Sequence, residues 1–231
     1  MYRLKSLVSR WLNDAFPGSC LLCGSDSPDA LLCPACAADL PAPPSACCPQ
    51  CAEQTTHGER CGACLTDPPH FDQTLAAFHY DFPVDRIIQA LKYGHQLAVA
   101  KWLGYRLAAL IKPGEQLIVP LPLHPERLRE RGFNQSMEIA RGVGKQLNLP
   151  VDHCSLFRNR PTPRQADLPL KERRKNVRGA FECTADMTGK NVLLIDDVMT
   201  SGATLNECAR VLKLHGAAHV TAVVAARALK H

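Results

Sequence analysis

Aromatic residues make up only 6% of this 231-residue chain, and few of them lie in its basic segments. Proteins that bind single strands by base stacking need such side chains, so the composition argues against a stacking surface. The chain also has no uninterrupted run of about 18 apolar residues, which argues against a membrane-spanning helix. We expect no secretory signal, because the first 16 positions are interrupted by the charged residues Arg3, Lys5, Arg10 and Asp14.

Two common phosphate-binding motifs are missing as well. The sequence contains no G-x-x-x-x-G-K-[ST] motif, which excludes a P-loop NTPase. Gly142-Val143-Gly144 lacks the third glycine of a dinucleotide fingerprint and follows no predicted strand, so it predicts a turn within or after a helix. A phosphate ligand would therefore bind elsewhere.

Residues 192–204 combine a buried strand with a turn suited to anions. The branched apolar residues 192–195 predict a strand that is covered on both faces, as in a parallel sheet. Asp196 and Asp197 follow at its carboxyl end. The free amides and the dipole of the next helix favour negative charge, and Gly202 lets the backbone approach a ligand closely. The predicted phosphate-binding residues are Thr200, Ser201, Gly202, Ala203 and Thr204.

The two carboxylates beside this turn restrict the ligand. A lone phosphate would be repelled by Asp196 and Asp197, whereas a ribose 5-phosphate offers a phosphate at one end and vicinal hydroxyls at the other. Mg²⁺ is a further expected partner, because it prefers oxygen ligands. The stretch therefore predicts a ribose phosphate site in which the two aspartates are the catalytic groups.

Nine of the twelve cysteines lie between positions 20 and 64. Eight of them form four C-x-x-C pairs, and the first two pairs recur 28 residues later. Two such pairs can hold one tetrahedral metal ion, and four thiolates leave no open position, so we predict two structural zinc ions in tandem ribbons. The predicted ligands are Cys20, Cys23, Cys33 and Cys36 in the first ribbon, and Cys48, Cys51, Cys61 and Cys64 in the second.

Three alternatives for the cysteines remain open. A disulfide framework is disfavoured because no secretory signal is expected. Cys47 could replace Cys48 as a ligand, and the pairs could combine across the two halves rather than within them. Residues 1–70 carry a net charge of −3, which favours a folding unit that covers the second domain over a module that reads nucleic acid.

The charge distribution and the prolines near residue 68 suggest three segments. We predict an amphipathic helix over residues 1–16 that docks on the body, with a membrane-surface or partner anchor as the alternative. The tandem ribbons occupy residues 17–70, and residues 71–231 form the larger domain. That domain contains 23 basic and 15 acidic residues, a net charge of +8, which implies a polyanionic partner.

In the larger domain, two basic positions stand near predicted strand ends. Residues 117–123 predict a strand that leads into an arginine-rich loop over residues 124–135, and ligands of open parallel sheets bind where such loops meet. Arg131 beside Gly132 is predicted to hold pyrophosphate, because a guanidinium binds phosphate oxygens in pairs. Lys92 ends a predicted helix and either reaches a phosphate or only complements the helix dipole.

Residues 158–179 hold eight basic and two acidic residues with little apolar periodicity. A loop of this length within a compact domain is usually functional, so we predict a lid that closes over a bound diphosphate. Arg173 and Arg174 are the candidate pyrophosphate ligands, and Arg164 and Gln165 lie at the middle of the segment. The alternative is a disordered basic linker.

Residues 192–204 resemble the phosphoribosyl pyrophosphate (PRPP) signature of type I phosphoribosyltransferases. The whole chain resembles the ComF/GntX family, on the strength of the tandem C-x-x-C pairs, the V-P-L-P-L strand, the R-G-F-N-Q run that begins at Arg131, and the N-V-R-G-A-F end of the basic segment. Ser201 departs mildly from the pattern, since many members have Thr or a second small residue there.

The resemblance implies an α/β fold, with a mostly parallel sheet of about five strands flanked by helices and a small N-terminal double zinc-ribbon domain. It implies PRPP as ligand, Mg²⁺ and zinc as metals, and phosphoribosyl transfer to an acceptor that the sequence does not name. It also implies a cytoplasmic bacterial protein associated with natural competence, which either handles imported single-stranded DNA or takes part in the use of external DNA as a nutrient. A competence helicase or a recombination mediator is the candidate protein partner.

A different class of function competes with the enzyme. In a non-enzymatic DNA-uptake or recombination factor, the basic segment would follow the phosphates of a single strand, and the PRPP cradle would serve as a scaffold or sensor. The net charge of residues 71–231 favours this reading, and the scarcity of aromatic residues opposes it.

Overall fold

The computed structural model describes residues 18–28, 30–162 and 168–229. The predicted N-terminal helix over residues 1–16 and the positions Arg164 and Gln165 lie outside these ranges. In chain order the elements are α1 (Pro34–Ala38), α2 (Gly62–Thr66), β1 (Gln73–His79), α3 (Val84–Gly94), α4 (Leu97–Ala108), β2 (Leu117–Pro120), α5 (Pro125–Arg131), α6 (Gln135–Leu147), β3 (Leu156–Arg158), α7 (Leu170–Val177), β4 (Phe181–Cys183), β5 (Asn191–Met199), α8 (Ala203–Leu214) and β6 (His219–Arg227).

A parallel sheet with the strand order β1-β6-β5-β2 forms the centre of the larger domain. The apolar run 192–195 is fully buried in β5, which confirms the predicted inner strand. The sheet has four strands within the described residues, and one parallel bridge between Ile118 and Val151 extends it beside β2. The predicted class, a mostly parallel α/β sheet, is confirmed.

Successive residues of the inner strands bury opposite faces of the sheet, because side chains alternate along a strand. Leu193 and Ile195 pack in one core with α3, α4 and α6. Val192 and Leu194 pack in the other core with α8 and with the antiparallel pair β3–β4. The helices on both faces leave the carboxyl edge of the sheet to the loops that carry the candidate site.

Two segments predicted as loops contain helices. Residues 158–179 include α7, which is rich in Lys, Glu and Arg; these residues favour helix without giving it an apolar stripe. Residues 124–135 include α5, which His124 caps, and Gly132 ends it with a φ of 79°. Strand β2 stops at Pro120, three residues before the predicted end, and the segment at Val151 contributes only the bridge.

The Gly142-Val143-Gly144 run lies inside α6, where it serves packing. A Cβ atom added to Gly104 of α4 would lie 2.9 Å from the Cα of Gly142, so the two helices cross at a distance that only glycine permits. None of the helices in the described ranges is long and apolar enough to cross a membrane.

Candidate functional site

The two aspartates of β5 lie at the carboxyl edge of the sheet, and each has a polar partner from another element. Lys92, from the last turn of α3, places its Nζ 2.9 Å from Oδ1 of Asp197. Ser136, in the first turn of α6, donates its hydroxyl to Oδ1 of Asp196 at 3.0 Å. The amide of Asp197 donates to the same oxygen at 2.9 Å. Residues far apart in the sequence therefore hold the carboxylates in one arrangement.

These contacts determine the charge of the site. Burial raises the pKa of Asp196 to about 7, and the neighbouring Asp197 carboxylate adds to that rise because two like charges are close together. Burial lowers the pKa of Lys92, but its contact with Asp197 outweighs this effect, so the net shift is upward and Lys92 stays charged. The pair of acids is thus suited to hydroxyl donors or to a cation.

The predicted phosphate loop, residues 200–204, joins β5 to the N-terminus of α8. Gly202 is the N-cap residue, has a φ of 73° and makes no side-chain capping bond. Because glycine has no side chain to cover the first amides, that end of α8 remains suited to an anion. Another residue type at Gly202 would strain the loop because of this positive φ, and its Cβ would also displace Cε of Met199, which would lie 2.6 Å away. Ser201 Oγ accepts from the amide of Ala203 at 3.3 Å.

Helix α7 brings one of the two predicted lid arginines to this loop. Nη1 of Arg173 donates to Oγ1 of Thr200 at 2.8 Å, and its Nε donates to the carbonyl of Leu168 at 3.0 Å. Arg174 points elsewhere and pairs with Asp67, in the segment that follows the second ribbon. The structure therefore brings Arg173 to the phosphate loop and places Arg174 beside the ribbon.

The remaining predicted pyrophosphate residues lie in the last turn of α3 and at the end of α5. Arg131 is the last residue of α5; its Nη1 donates to Oε1 of Gln135 at 2.9 Å, and its guanidinium lies 5.7 Å from the ring centre of Tyr93. Lys92 precedes Tyr93 in α3 and contacts Asp197, so the contact between Arg131 and Tyr93 brings the end of α5 next to the helix that reaches the carboxylates.

Sequence reasoning did not identify Ser136 or Arg227. Ser136 directly follows the R-G-F-N-Q run, and its position at the start of a helix was the available signal. Arg227 ends the last strand and is 4% exposed. An arginine at the end of a buried parallel strand is unusual, which could have marked Arg227 as a candidate functional residue. Its partners are identified by the structure alone.

The eight predicted zinc ligands form two clusters, one within each half of the ribbon region. In each cluster all ligand atoms lie within 4.8 Å of one another. Neighbouring thiols are 3.7 Å apart between Cys23 and Cys33, and 3.6 Å apart between Cys51 and Cys61. A tetrahedron with Zn–S bonds of about 2.3 Å has sulfur atoms about 3.8 Å apart, so both clusters fit zinc. Pairing across the two halves is excluded, and Cys47 instead donates to the carbonyl of Pro44.

A cavity of about 700 Å³ separates the second ribbon from the phosphate loop. Its walls include Cys61 and Cys64 on one side and Ser201 and Gly202 on the other. A second cavity of about 510 Å³ lies beside α7 and shares Arg174 with the first. Its lining holds the basic residues Arg174, Lys175, Arg178 and Arg210, of which Arg174 pairs with Asp67 and Arg210 with Glu207 in the same wall.

Comparison with known proteins agrees with this architecture. A family model described as a phosphoribosyl transferase domain matches residues 131–230, and one described as a double zinc ribbon domain matches residues 11–65. The DNA utilization protein YhgH of Escherichia coli O157:H7 is 32% identical over 182 residues, which cover 75% of this chain and 80% of that protein.

Two competence proteins are also similar. Competence protein F of Haemophilus influenzae is 28% identical, and the match covers 78% of this chain and 84% of that protein. Competence protein ComFC of Bacillus subtilis is 26% identical, with 86% of this chain and 90% of that protein covered. The chain thus belongs to the ComF/GntX family, whose members combine a double zinc ribbon with a phosphoribosyltransferase domain.

Proposed function

We propose that this protein binds PRPP at the carboxyl edge of its sheet and transfers the phosphoribosyl group, with Mg²⁺, to an acceptor during the cytoplasmic handling of imported DNA. The observation that carries the proposal is that β5, which holds the carboxylates Asp196 and Asp197, leads directly into the N-terminus of α8, where the N-cap residue Gly202 makes no side-chain capping bond. A ligand with vicinal hydroxyls and a terminal phosphate matches this arrangement, because the carboxylates accept from hydroxyls and the helix N-terminus binds an anion. The biological setting is taken from the names of the similar proteins.

In this proposal the phosphate loop holds the 5-phosphate through the amides of α8 and the hydroxyls of Thr200, Ser201 and Thr204. Asp196 and Asp197 hold the ribose hydroxyls, and Arg131 and Lys92 face the diphosphate. Arg173 steadies the loop through Thr200. The donor set suits Mg²⁺, since two adjacent carboxylates and phosphate oxygens are its preferred ligands, and the ion would neutralise part of the diphosphate charge.

The transfer breaks the bond between the anomeric carbon and diphosphate and forms a bond from that carbon to the acceptor. The diphosphate leaves with the electron pair, and the acceptor releases its proton to solvent. The anomeric carbon becomes positively charged on the way, as in glycoside transfer, and the two carboxylates stabilise that charge.

Calorimetric titration with PRPP, with and without Mg²⁺, tests the proposal. The wild-type protein should bind PRPP in a Mg²⁺-dependent way, and the Asp196→Asn/Asp197→Asn variant should lose most of that binding. Asp186→Asn is the matched control, because Asp186 is exposed and bonds only to its own turn through Thr188. Failure of a folded, zinc-loaded wild-type protein to bind PRPP would contradict the proposal.

A non-enzymatic single-stranded-DNA factor is the second candidate, and the excess of basic over acidic residues in the lining of the cavity beside α7 favours it. A competence helicase or recombination mediator would then deliver the strand. Binding of a labelled oligonucleotide at several salt concentrations separates the candidates, since strand binding through several phosphates weakens steeply with salt. Steep salt dependence without PRPP binding would favour the DNA factor.

A further inference from the structure

Arg227 joins the second zinc ribbon to the phosphate loop through one buried side chain. Its Nε donates to the carbonyl of Cys51 at 2.9 Å, and its Nη2 lies 2.8 Å from Oε2 of Glu53. Its Nη1 donates to the carbonyls of Met199 and Thr200, at 3.1 Å and 2.5 Å, and to the carbonyl of Ala228. Cys51 belongs to the second thiol cluster, and Thr200 begins the phosphate loop.

We propose that Arg227 is a positioning residue that couples metal loading of the second ribbon to the geometry of the phosphate loop. In this proposal the second ribbon helps to determine the geometry of the phosphate loop, whereas the first ribbon contributes only to the stability of the fold. The consequence for ligand affinity depends on the function proposed above, but the coupling itself does not.

The chemistry of arginine explains why such a bridge transmits a change. A guanidinium is planar and carries its donors in fixed directions, so moving one acceptor disturbs the bonds to the others. Arg227 is only 4% exposed to solvent, and a buried charge needs hydrogen-bond or ion-pair partners. If the second ribbon opens, Arg227 loses Cys51 and Glu53 and has to reorient, which releases the carbonyls at the start of the loop.

A second contact supports the coupling from behind the loop. Phe71 and Met199 line the same cavity and lie next to Gly202, whose added Cβ would meet Cε of Met199 at 2.6 Å and the ring of Phe71 at 3.8 Å. The loop is therefore in contact with Phe71, which directly follows the ribbon region in the chain. A displacement of Phe71 would reach the loop at the start of α8.

The first ribbon has a different neighbourhood. Cys20 and Leu32 pack into the apolar core that contains Phe78, and the carbonyl of Pro41 accepts from the amide of His79. No hydrogen bond within the described ranges joins residues 18–40 to residues 196–204. Coupling is reciprocal, so a ligand on the phosphate loop should also slow metal loss from the second ribbon and leave the first unaffected.

Hydrogen exchange of the amides in residues 200–204 tests the coupling without any ligand. Arg227→Met should make these amides exchange about tenfold faster, and Arg227→Lys should have a smaller effect because a lysine reaches only some of the five partners. Arg86→Met, at an exposed ion pair on α3, is the matched control and should leave the loop unchanged. Exchange in the inner strands shows whether each variant is folded.

Zinc release gives the second measurement. With PRPP bound, a chelator should remove the zinc of the second ribbon several-fold more slowly from the wild-type protein, and Arg227→Lys should lose this protection. If PRPP does not bind the wild-type protein, the proposed function fails, while the exchange experiment still decides the coupling. Unchanged loop exchange in both Arg227 variants would overturn the coupling, and so would unchanged loop exchange after zinc is removed from the wild-type protein.

Discussion

The two zinc ribbons have the same ligand spacing but different neighbours. The first ribbon rests on the apolar face formed by α3, α4 and the end of β1, through Cys20 and Leu32. The second ribbon meets the larger domain through polar bonds: Arg227 to Cys51, and Thr74 Oγ1 to the carbonyl of Gln50 at 2.7 Å. It also forms one wall of the cavity beside the phosphate loop. A duplicated metal site has thus acquired two roles by docking on two surfaces.

The comparison shows what a cysteine pattern can and cannot predict. Ligand spacing determines how four thiols surround a metal, and both halves satisfy it equally. The role of each ribbon depends on residues elsewhere in the chain, such as Thr74 and Arg227. The following predictions test whether the two ribbons really differ, from the largest expected effect to the smallest.

Metal removal should have the largest effect, because within the described residues each ribbon contains a single five-residue helix and is expected to depend on its metal for folding. We expect a chelator to release two zinc ions per chain in two phases. The first ribbon should release its ion first, since Cys23 is exposed whereas every ligand of the second ribbon is at least partly buried. Cys23→Ser should remove the fast phase from the colorimetric trace. A single phase for both ions would contradict the difference between the ribbons.

Leu32→Ala should loosen the first ribbon alone. Leu32 is 4% exposed, and truncating a buried leucine costs about 3 kcal/mol. Limited proteolysis should show faster cleavage within residues 18–40, while the affinity for PRPP stays unchanged. Leu65→Ala is the matched control in the second ribbon, because Leu65 is 67% exposed and should tolerate the change. Loss of PRPP affinity in Leu32→Ala would show that the first ribbon also supports the site.

Thr74→Val should have a smaller effect and should destabilise mainly the second ribbon. The substitution keeps the shape of the side chain but removes the buried hydrogen bond to Gln50, which contributes about 1 kcal/mol. We expect faster hydrogen exchange at residues 48–52 and a slight loss of PRPP affinity. Thr184→Val is the control, since Thr184 is exposed and its bond to Ser155 is long, at 3.5 Å. Equal effects of the two variants would argue against a specific role for this contact.

Breaking the pair between Arg174 and Asp67 should have the smallest effect. Their side chains are 54% and 63% exposed, and exposed ion pairs contribute less than about 1 kcal/mol. Arg174→Gln should lower the melting temperature only slightly, and the difference from wild type should vanish in high salt. A large, salt-independent loss of stability would show that α7 docks on the segment after the second ribbon more firmly than we expect.

Local patterns in the sequence predicted the central strand, the helix that follows it and both thiol clusters. The branched run at residues 192–195 and the cysteine spacing are short-range signals, which explains their success. The segment that forms α7 was predicted as a loop because it lacks the apolar stripe of an amphipathic helix. Its Lys, Glu and Arg residues favour helix only through their intrinsic propensity. The bonds from Ser136 to Asp196 and from Arg227 to Cys51 span 60 and 176 residues, and no local pattern encodes such distances.

The most direct test of the account compares the two ribbons within the same binding experiment. Cys33→Ser removes a ligand from the first thiol cluster, and Cys61→Ser removes its counterpart from the second. Calorimetric titration of both variants with PRPP and Mg²⁺ should show near wild-type affinity for Cys33→Ser and about tenfold weaker binding for Cys61→Ser, because only the second ribbon holds Arg227 and the phosphate loop. Equal affinities in the two folded variants would contradict the claim that the second ribbon belongs to the phosphate site.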